Sequence, residues 1–251
     1  MAVDTPDETS TGRTWPKAPE WPEVLAGGAV YVVSLVLVAV LLPLVENAAA
    51  AGVVGLVVSG AMGLIAFAVA VLIRIRGLAA FGIRRAKPRH FAFAVAVLIR
   101  IRGLAAFGIR RAKPRHFVVA AVLGFAAYLL GTIVAVIHMH VSGDTQNVQT
   151  SYQAAAAAGW CSLVLALVAG AIITPLGEEA FFRGVLANAL FARYHAWLAV
   201  VASAAVFAVA HGINPVLPVA FVVGVLAALL FRWSGSIWPG VVLHGVNNAT
   251  A

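Results

Sequence analysis

Four polar side chains in the C-terminal half of the sequence could do acid–base or metal chemistry: Glu178, His211, His244 and Asn248. A carboxylate and an imidazole together can deprotonate a water molecule, and a second histidine with an amide can donate hydrogen bonds to the oxyanion of a tetrahedral intermediate. Glu178, His211 and His244 could also hold a divalent metal such as zinc and leave a position for water. The His-Glu-x-x-His zinc motif is absent from the sequence, so the spacing does not decide between these two chemistries.

Two adjacent glutamates, Glu178 and Glu179, are the only acidic residues among the last 100. An ionisable group at membrane depth costs roughly 2.5–3.5 kcal/mol on insertion scales, which makes both functional candidates. Arg183 follows Glu179 by four residues, the favourable acid-first spacing for an ion pair on one helical face. Glu178 points about 100° away and is free to face another element. Pro175 and Gly177 predict that one helix ends there and another begins with both carboxylates in its first turn.

Each of these groups also has a non-catalytic interpretation. The two glutamates could simply cap a helix at the headgroup level, and a lone histidine at a helix end, such as His211, is usually interfacial. His244 and Asn248 are four residues apart on one helical face, and such polar pairs can serve only to join membrane helices. His138 and His140 lie at the outer end of the third predicted helix and are interpreted as interfacial.

The composition identifies a membrane protein. Of the 251 residues 63% are hydrophobic and 10% charged, with a mean hydropathy of +1.00, whereas soluble chains have roughly 45–50% and 25%. The net charge of +8 does not indicate nucleic-acid binding, because 12 of the 17 basic residues fall between Arg74 and Arg115 and belong to one loop. The single cysteine, Cys161, excludes an intramolecular disulfide framework and a cysteine-rich metal site.

Apolar stretches predict an all-α, polytopic membrane bundle of seven to eight helices with an intramembrane site. The predicted helices are Val24 to Val45, Ala48 to Ile73, Phe117 to Ile137, Ala154 to Thr174, Glu178 to Tyr194, Ala196 to His211, Val216 to Arg232 and Ile237 to Thr250. We divide the chain into a disordered cytoplasmic tail (1–23), N-terminal membrane helices with a duplicated basic loop (24–153) and a catalytic core (154–251).

The basic loop also predicts the orientation, since short loops rich in Lys and Arg stay in the cytoplasm. With this loop inside, the N-terminus is cytoplasmic and the connection from His138 to Gln153 lies outside. The fourth helix then returns to the cytoplasmic face at Pro175. On this count Glu178 and His211 lie near the cytoplasmic ends of their helices.

A 26-residue segment occurs twice without a single difference, at 66–91 and 92–117. Solenoid repeats diverge and recur at least three times, so we interpret the pair as a recent tandem duplication or a sequence-assembly artefact. The functional alternative is a doubled basic surface for anionic lipid. The apolar run of the second copy, Phe91 to Ile99, is too short to span and is predicted to be an interfacial or loosely packed helix.

The polar residues fall into three motifs in order. Glu178 to Arg183 reads Glu-Glu-x-x-x-Arg, Phe207 to His211 reads Phe-x-x-x-His, and His244 to Asn248 reads His-x-x-x-Asn. In this the sequence resembles the CPBP (CAAX protease and bacteriocin-processing, or Abi) intramembrane proteases, whose eukaryotic members remove the C-terminal tripeptide from prenylated proteins. The resemblance covers roughly Thr174 to Asn248, the core domain of that family.

The resemblance implies a role for each matched residue. Glu178 and His211 activate water, and His244 with Asn248 completes the site as oxyanion stabilisers or metal ligands. The supporting pair that positions the motif helix is Glu179 and Arg183.

These observations predict a membrane-embedded endopeptidase of the metallo or glutamate type, acting near the cytoplasmic side on a peptide or membrane protein. The expected location is a bacterial cell membrane, because the Ala–Val richness is typical of high-GC bacteria. Lipid and the substrate are the expected partners, no nucleic acid is expected, and the oligomeric state stays open. The main alternative is a non-catalytic bacteriocin-immunity or scaffold protein. A proton-coupled transporter is disfavoured because the sequence has no inverted repeat.

Overall fold

The computed structural model describes residues 17–76, 104–143, 147 and 149–251. Within these residues the chain forms eight helices and no strand, which confirms the predicted all-α bundle. The helices are α1 (Trp21–Leu41), α2 (Ala48–Arg76), α3 (Pro114–Ser142), α4 (Thr150–Ala157), α5 (Trp160–Phe191), α6 (Ala196–Ala210), α7 (Val216–Ser234) and α8 (Trp238–Thr250). Short 3₁₀ turns cover Leu42–Leu44 and Leu104–Phe107.

Five of these helices are long and apolar enough to cross a membrane: α1 with its 3₁₀ extension, α2, α3, α5 and α7. Lipid offers no hydrogen-bond partners to the backbone, whereas a helix pairs its own N–H and C=O groups. Apolar segments in a membrane therefore form helices. Two of them end at a glycine in the left-handed conformation, Gly143 (φ 70°) after α3 and Gly235 (φ 63°) after α7. Each glycine N–H closes on the carbonyl four residues earlier and so terminates the helix. The chain is thus a multi-pass membrane protein.

The predicted helix break at Pro175 is wrong. The α5 helix runs continuously from Trp160 to Phe191 and contains two π-helical segments, Ala169–Ile173 and Phe182–Ala187. A proline inside a membrane helix is tolerated where neighbouring helices and local π adjustments accommodate the freed backbone groups. Here a π segment ends two residues before the proline, and Glu178 and Glu179 lie inside a helix rather than in its first turn.

The α2 and α5 backbones are in direct contact around three glycines. A Cβ atom on Gly177 of α5 would overlap the carbonyl oxygen of Gly60 on α2, and one on Gly63 would overlap the carbonyl of Gly177. The Thr174 hydroxyl donates a hydrogen bond to the Leu56 carbonyl across the same interface at 2.7 Å. Small residues allow such close approach in membrane bundles, and it brings α2 within reach of the glutamates.

One end of the bundle gathers most of the described arginines, and we call it the basic end. It contains the start of α1 and the ends of α2, α5 and α7. The Arg74 guanidinium donates to the carbonyls of Lys17 and Ala18, and Arg193 donates to that of Pro19 at 2.8 Å. Arg110, before α3, donates to the Gly235 carbonyl after α7.

The start of the chain differs from the sequence prediction. The α1 helix begins at Trp21, three residues earlier than predicted, and residues 17–19 accept hydrogen bonds from Arg74 and Arg193 at the basic end. The remainder of the predicted tail, residues 1–16, lies outside the described residues.

The described residues of the two identical segments are complementary parts of one copy. Residues 66–76 of the first copy complete α2, and residues 104–117 of the second copy lead into α3. The Phe107 ring lies 5.4 Å from that of Phe67 and 5.5 Å from the Arg74 guanidinium. Together these parts contain every position of one copy except a glycine. The predicted helix at 91–99 lies outside the described residues.

We therefore expect that deleting residues 77–102 leaves the fold intact. Arg76 would then be joined to Gly103, which restores a single copy with all the described contacts of Phe107. The melting temperature in detergent should change by less than about 3 °C, or roughly 1 kcal/mol.

The matched control is Phe107→Ala in the shortened chain. This ring is fully buried, so its loss should cost about 3–5 kcal/mol. A shortened chain that aggregates or melts like the Phe107→Ala variant would show that the second copy has a structural role.

Candidate active site

Side chains from three helices converge on one carboxylate oxygen. The Glu178 Oε2 atom lies 3.6 Å from Nε2 of His211, which ends α6, and 3.9 Å from Nε2 of His244 on α8. Glu178 is 2% exposed. Both separations exceed a direct hydrogen bond and suit groups that share a water molecule or another small ligand.

The orientation of His211 is determined by the last turn of α6. Its Nδ1 atom lies 2.8 Å from the Phe207 carbonyl oxygen, and its ring packs on the Phe207 ring at 4.6 Å. A carbonyl oxygen can only accept, so Nδ1 carries the hydrogen. In the neutral imidazole Nε2 then presents a lone pair toward Glu178. Two acceptors therefore face each other across 3.6 Å.

The predicted pair of Glu179 and Arg183 is present and fully buried. Glu179 Oε1 lies 3.0 Å from Arg183 Nη1 and 3.4 Å from Nδ1 of His244. Arg183 also donates to the Gly224 carbonyl at 3.2 Å, and its guanidinium covers the Phe207 ring at 4.4 Å. Glu179 thus contacts two motifs at once and orients His244 as well as neutralising Arg183.

Asn248 lies one turn beyond His244 on α8 and contacts the α5 backbone. Its amide donates to the Gly170 carbonyl at 2.9 Å, and its side-chain oxygen accepts a hydrogen bond from Asn247 at 3.2 Å. The contact with Gly170 needs one of the two amide hydrogens. Three of the four predicted residues, Glu178, His211 and His244, thus meet at Glu178 Oε2. The fourth, Asn248, contacts Gly170 and Asn247 instead.

The charges of this cluster leave one negative charge in excess. Two carboxylates, Glu178 and Glu179, face a single guanidinium, that of Arg183. Buried charge is costly unless it is paired, so the Glu178 carboxylate depends on the polar groups around it, the Ser59 hydroxyl and the two imidazoles.

The donor set does not form a preorganised metal site. Among the described residues, no group of three or more His, Cys, Asp or Glu side chains has the arrangement of a metal site. One oxygen of Glu178 already accepts a hydrogen bond from Ser59. A divalent metal on Glu178, His211 and His244 therefore stays a prediction.

The depth of the site differs from the sequence prediction because α5 continues through Pro175. Glu178 lies thirteen residues before Phe191 at the basic end, about 20 Å at 1.5 Å per residue. The α6 helix starts at the basic end, so His211 occupies the opposite end of that helix. The site thus lies well inside the bundle. Of the three side chains that meet there, His211 is the most exposed, at 25%, compared with 5% for His244 and 2% for Glu178.

Ser59 is not among the residues predicted for the site, yet its hydroxyl donates to Glu178 Oε1 at 2.6 Å. A signal for it existed, because Ser59 is the only residue with a polar side chain between Ala48 and Ile73. A lone hydroxyl inside an apolar span is expected to seek a partner on another helix. Its partner could not be read from the sequence.

The fold and the site together define a polytopic helical membrane protein with a buried glutamate–histidine cluster. Residues 160–250 match the family model described as type II CAAX prenyl endopeptidase Rce1-like. This match confirms the resemblance to the CPBP/CAAX protease family over that part of the chain. No curated protein and no solved structure matches the chain.

We expect Arg183→Ala to destabilise the protein by about 3–5 kcal/mol, since it leaves Glu179 buried without a counter-charge. The measurement is the free energy of unfolding in mixed micelles. Arg193→Ala, which removes hydrogen bonds to two carbonyls at the basic end, is the matched control and should cost less.

The double variant Arg183→Met with Glu179→Gln removes both charges and should recover much of the lost stability. Equal stability of wild type and Arg183→Ala would contradict the assignment of Arg183 as the essential counter-charge.

Proposed function

We propose that the chain is an intramembrane endopeptidase of the glutamate type. The observation that carries this proposal is the 3.6 Å gap between Glu178 Oε2 and His211 Nε2. Two acceptors at that separation can each accept one hydrogen of the same water molecule. The water oxygen then keeps its lone pairs for attack on a carbonyl carbon. Family membership of residues 160–250 supports the same class of reaction.

In the first step Glu178 or His211 takes a proton from the water as its oxygen bonds to the scissile carbonyl carbon. The carbonyl π electrons move to oxygen and form a tetrahedral oxyanion. His244 would donate a hydrogen bond to this oxyanion from Nε2 when both of its ring nitrogens carry a hydrogen, and Asn248 is the second proposed donor. Glu179 supports this role, because its carboxylate lies 3.4 Å from His244 Nδ1 and stabilises the imidazolium.

In the second step the oxyanion collapses and the carbon–nitrogen bond breaks. The proton taken from water passes to the departing amine, so the products are a carboxylic acid and an amine. A general acid–base pair of this kind typically contributes about 10²–10⁴-fold in rate. Should a divalent metal bind Glu178, His211 and His244, it would polarise the water or the carbonyl.

The substrate is proposed to be a membrane protein or a membrane-bound peptide, with lipid as the surrounding partner. A C-terminal peptide with a prenylated cysteine is one candidate, suggested by the family to which residues 160–250 belong. The position of Glu178 about 20 Å from the basic end favours cleavage within the membrane thickness rather than at the surface. The basic end is proposed to face the cytoplasm, since Lys and Arg concentrate on that side.

We expect Glu178→Gln to reduce cleavage by about 10²–10⁴-fold while the protein stays folded. The purified chain in detergent is incubated with a prenylated CAAX peptide and with a single-span transmembrane peptide. New fragments are detected by mass spectrometry, with and without a chelator. Glu46→Gln is the matched control, because this glutamate is exposed at the turn between α1 and α2.

The outcomes separate the alternatives. Cleavage that survives the chelator supports the glutamate mechanism, and cleavage lost with chelator and restored by zinc supports the metal mechanism. A folded wild-type chain that cleaves neither peptide would favour the immunity or scaffold alternative. Full activity of Glu178→Gln would contradict the proposed role of this carboxylate.

A further inference from the structure

Ser59 makes the one hydrogen bond recorded for the Glu178 side chain among the described residues. Its hydroxyl donates to Oε1 at 2.6 Å, within the range of a charge-assisted hydrogen bond. Ser59 lies on α2 and therefore outside residues 160–250, which match the family model. The site is thus assembled from both halves of the chain.

The helix packing explains how so short a side chain reaches the carboxylate. Gly60 and Gly63 on α2 leave no room for a Cβ against Ile173 and Gly177 on α5. The two backbones are in van der Waals contact at this level. Ser59, the neighbour of Gly60, is held opposite Glu178 by that contact rather than by a flexible loop.

We propose that Ser59 is a positioning residue for the hydrolysis proposed above, on which this role rests. By holding Oε1, the hydroxyl determines which oxygen of Glu178 is free and where it points. The free oxygen, Oε2, is the one that faces His211 and His244 at 3.6 and 3.9 Å. Without the hydroxyl the carboxylate can rotate about its terminal bond, and the water molecule loses its fixed geometry.

Thr174 offers a matched comparison for a purely structural role. Its hydroxyl also joins α5 to α2, donating to the Leu56 carbonyl at 2.7 Å about one turn away. Thr174→Val therefore removes a hydrogen bond between the same two helices without touching Glu178. A residue that only holds the helices together should behave like Thr174.

The test compares Ser59→Ala, Ser59→Thr and Thr174→Val in the full-length chain, with the peptide that the wild type cleaves. For Ser59→Ala we expect kcat to fall by about 10- to 100-fold, the usual effect of losing a hydrogen bond to a charged group. KM should stay within about twofold, because Ser59 contacts the base and not the substrate. Ser59→Thr keeps a hydroxyl and should recover most of kcat, and Thr174→Val should keep kcat near that of the wild type.

A second measurement tests the contact without using activity. Melting temperatures are compared for Ser59→Ala, Glu178→Ala and the double variant, whose effects should not add if the two side chains interact. Additive effects would overturn the contact itself.

The kinetic outcomes separate the two proposals. Wild-type kcat in Ser59→Ala, or equal losses in Ser59→Ala and Thr174→Val, would overturn the positioning role while leaving the proposed hydrolysis in place. A folded wild-type chain that cleaves neither peptide would overturn the hydrolysis and the positioning role of Ser59 together.

Discussion

Two adjacent carboxylates buried in an apolar helix are the constraint around which this bundle is organised. Removing an ion from water costs several kcal/mol per group, and the cost is recovered only through well-placed partners. Glu179 contacts Arg183, one turn later, and His244 on α8. Glu178 accepts a hydrogen bond from Ser59 on α2 and faces His211 at the end of α6. The partners come from four helices, so the buried carboxylates are compensated only when these helices are packed together.

The close contact of α2 with α5 is the second condition of this arrangement. Glycines at 60, 63 and 177 bring the two backbones together, and this contact allows a serine to reach a carboxylate on the facing helix. The helix also continues through Pro175, with a π segment just before it. A helix that ended at the proline would have put both glutamates at a terminus, where water could solvate them. Continuity instead places them in the interior, where every partner must be supplied by the protein.

The two side chains that face each other across 3.6 Å, those of Glu178 and His211, differ in their exposure to solvent. Glu178 is withdrawn from solvent and oriented by its neighbours, whereas His211 ends its helix and retains a partly exposed ring. The Phe207 ring contacts a residue of each motif. It packs on His211 at 4.6 Å, on His244 at 5.7 Å and under Arg183 at 4.4 Å. A single aromatic side chain therefore fixes the relative positions of all three motifs.

The amino-acid sequence by itself determined the class of fold, most helix positions, the pairing of Glu179 with Arg183 and the three motifs on which the family resemblance rests. These properties are local, because composition and spacing along one helix decide them. Which helices touch was decided by the tertiary structure alone. In that structure α5 continues through Pro175, the two glutamates lie in the middle of the helix, and Ser59 contacts Glu178. Contacts between helices depend on where backbones can approach closely, and residues distant in sequence carry no spacing that records this.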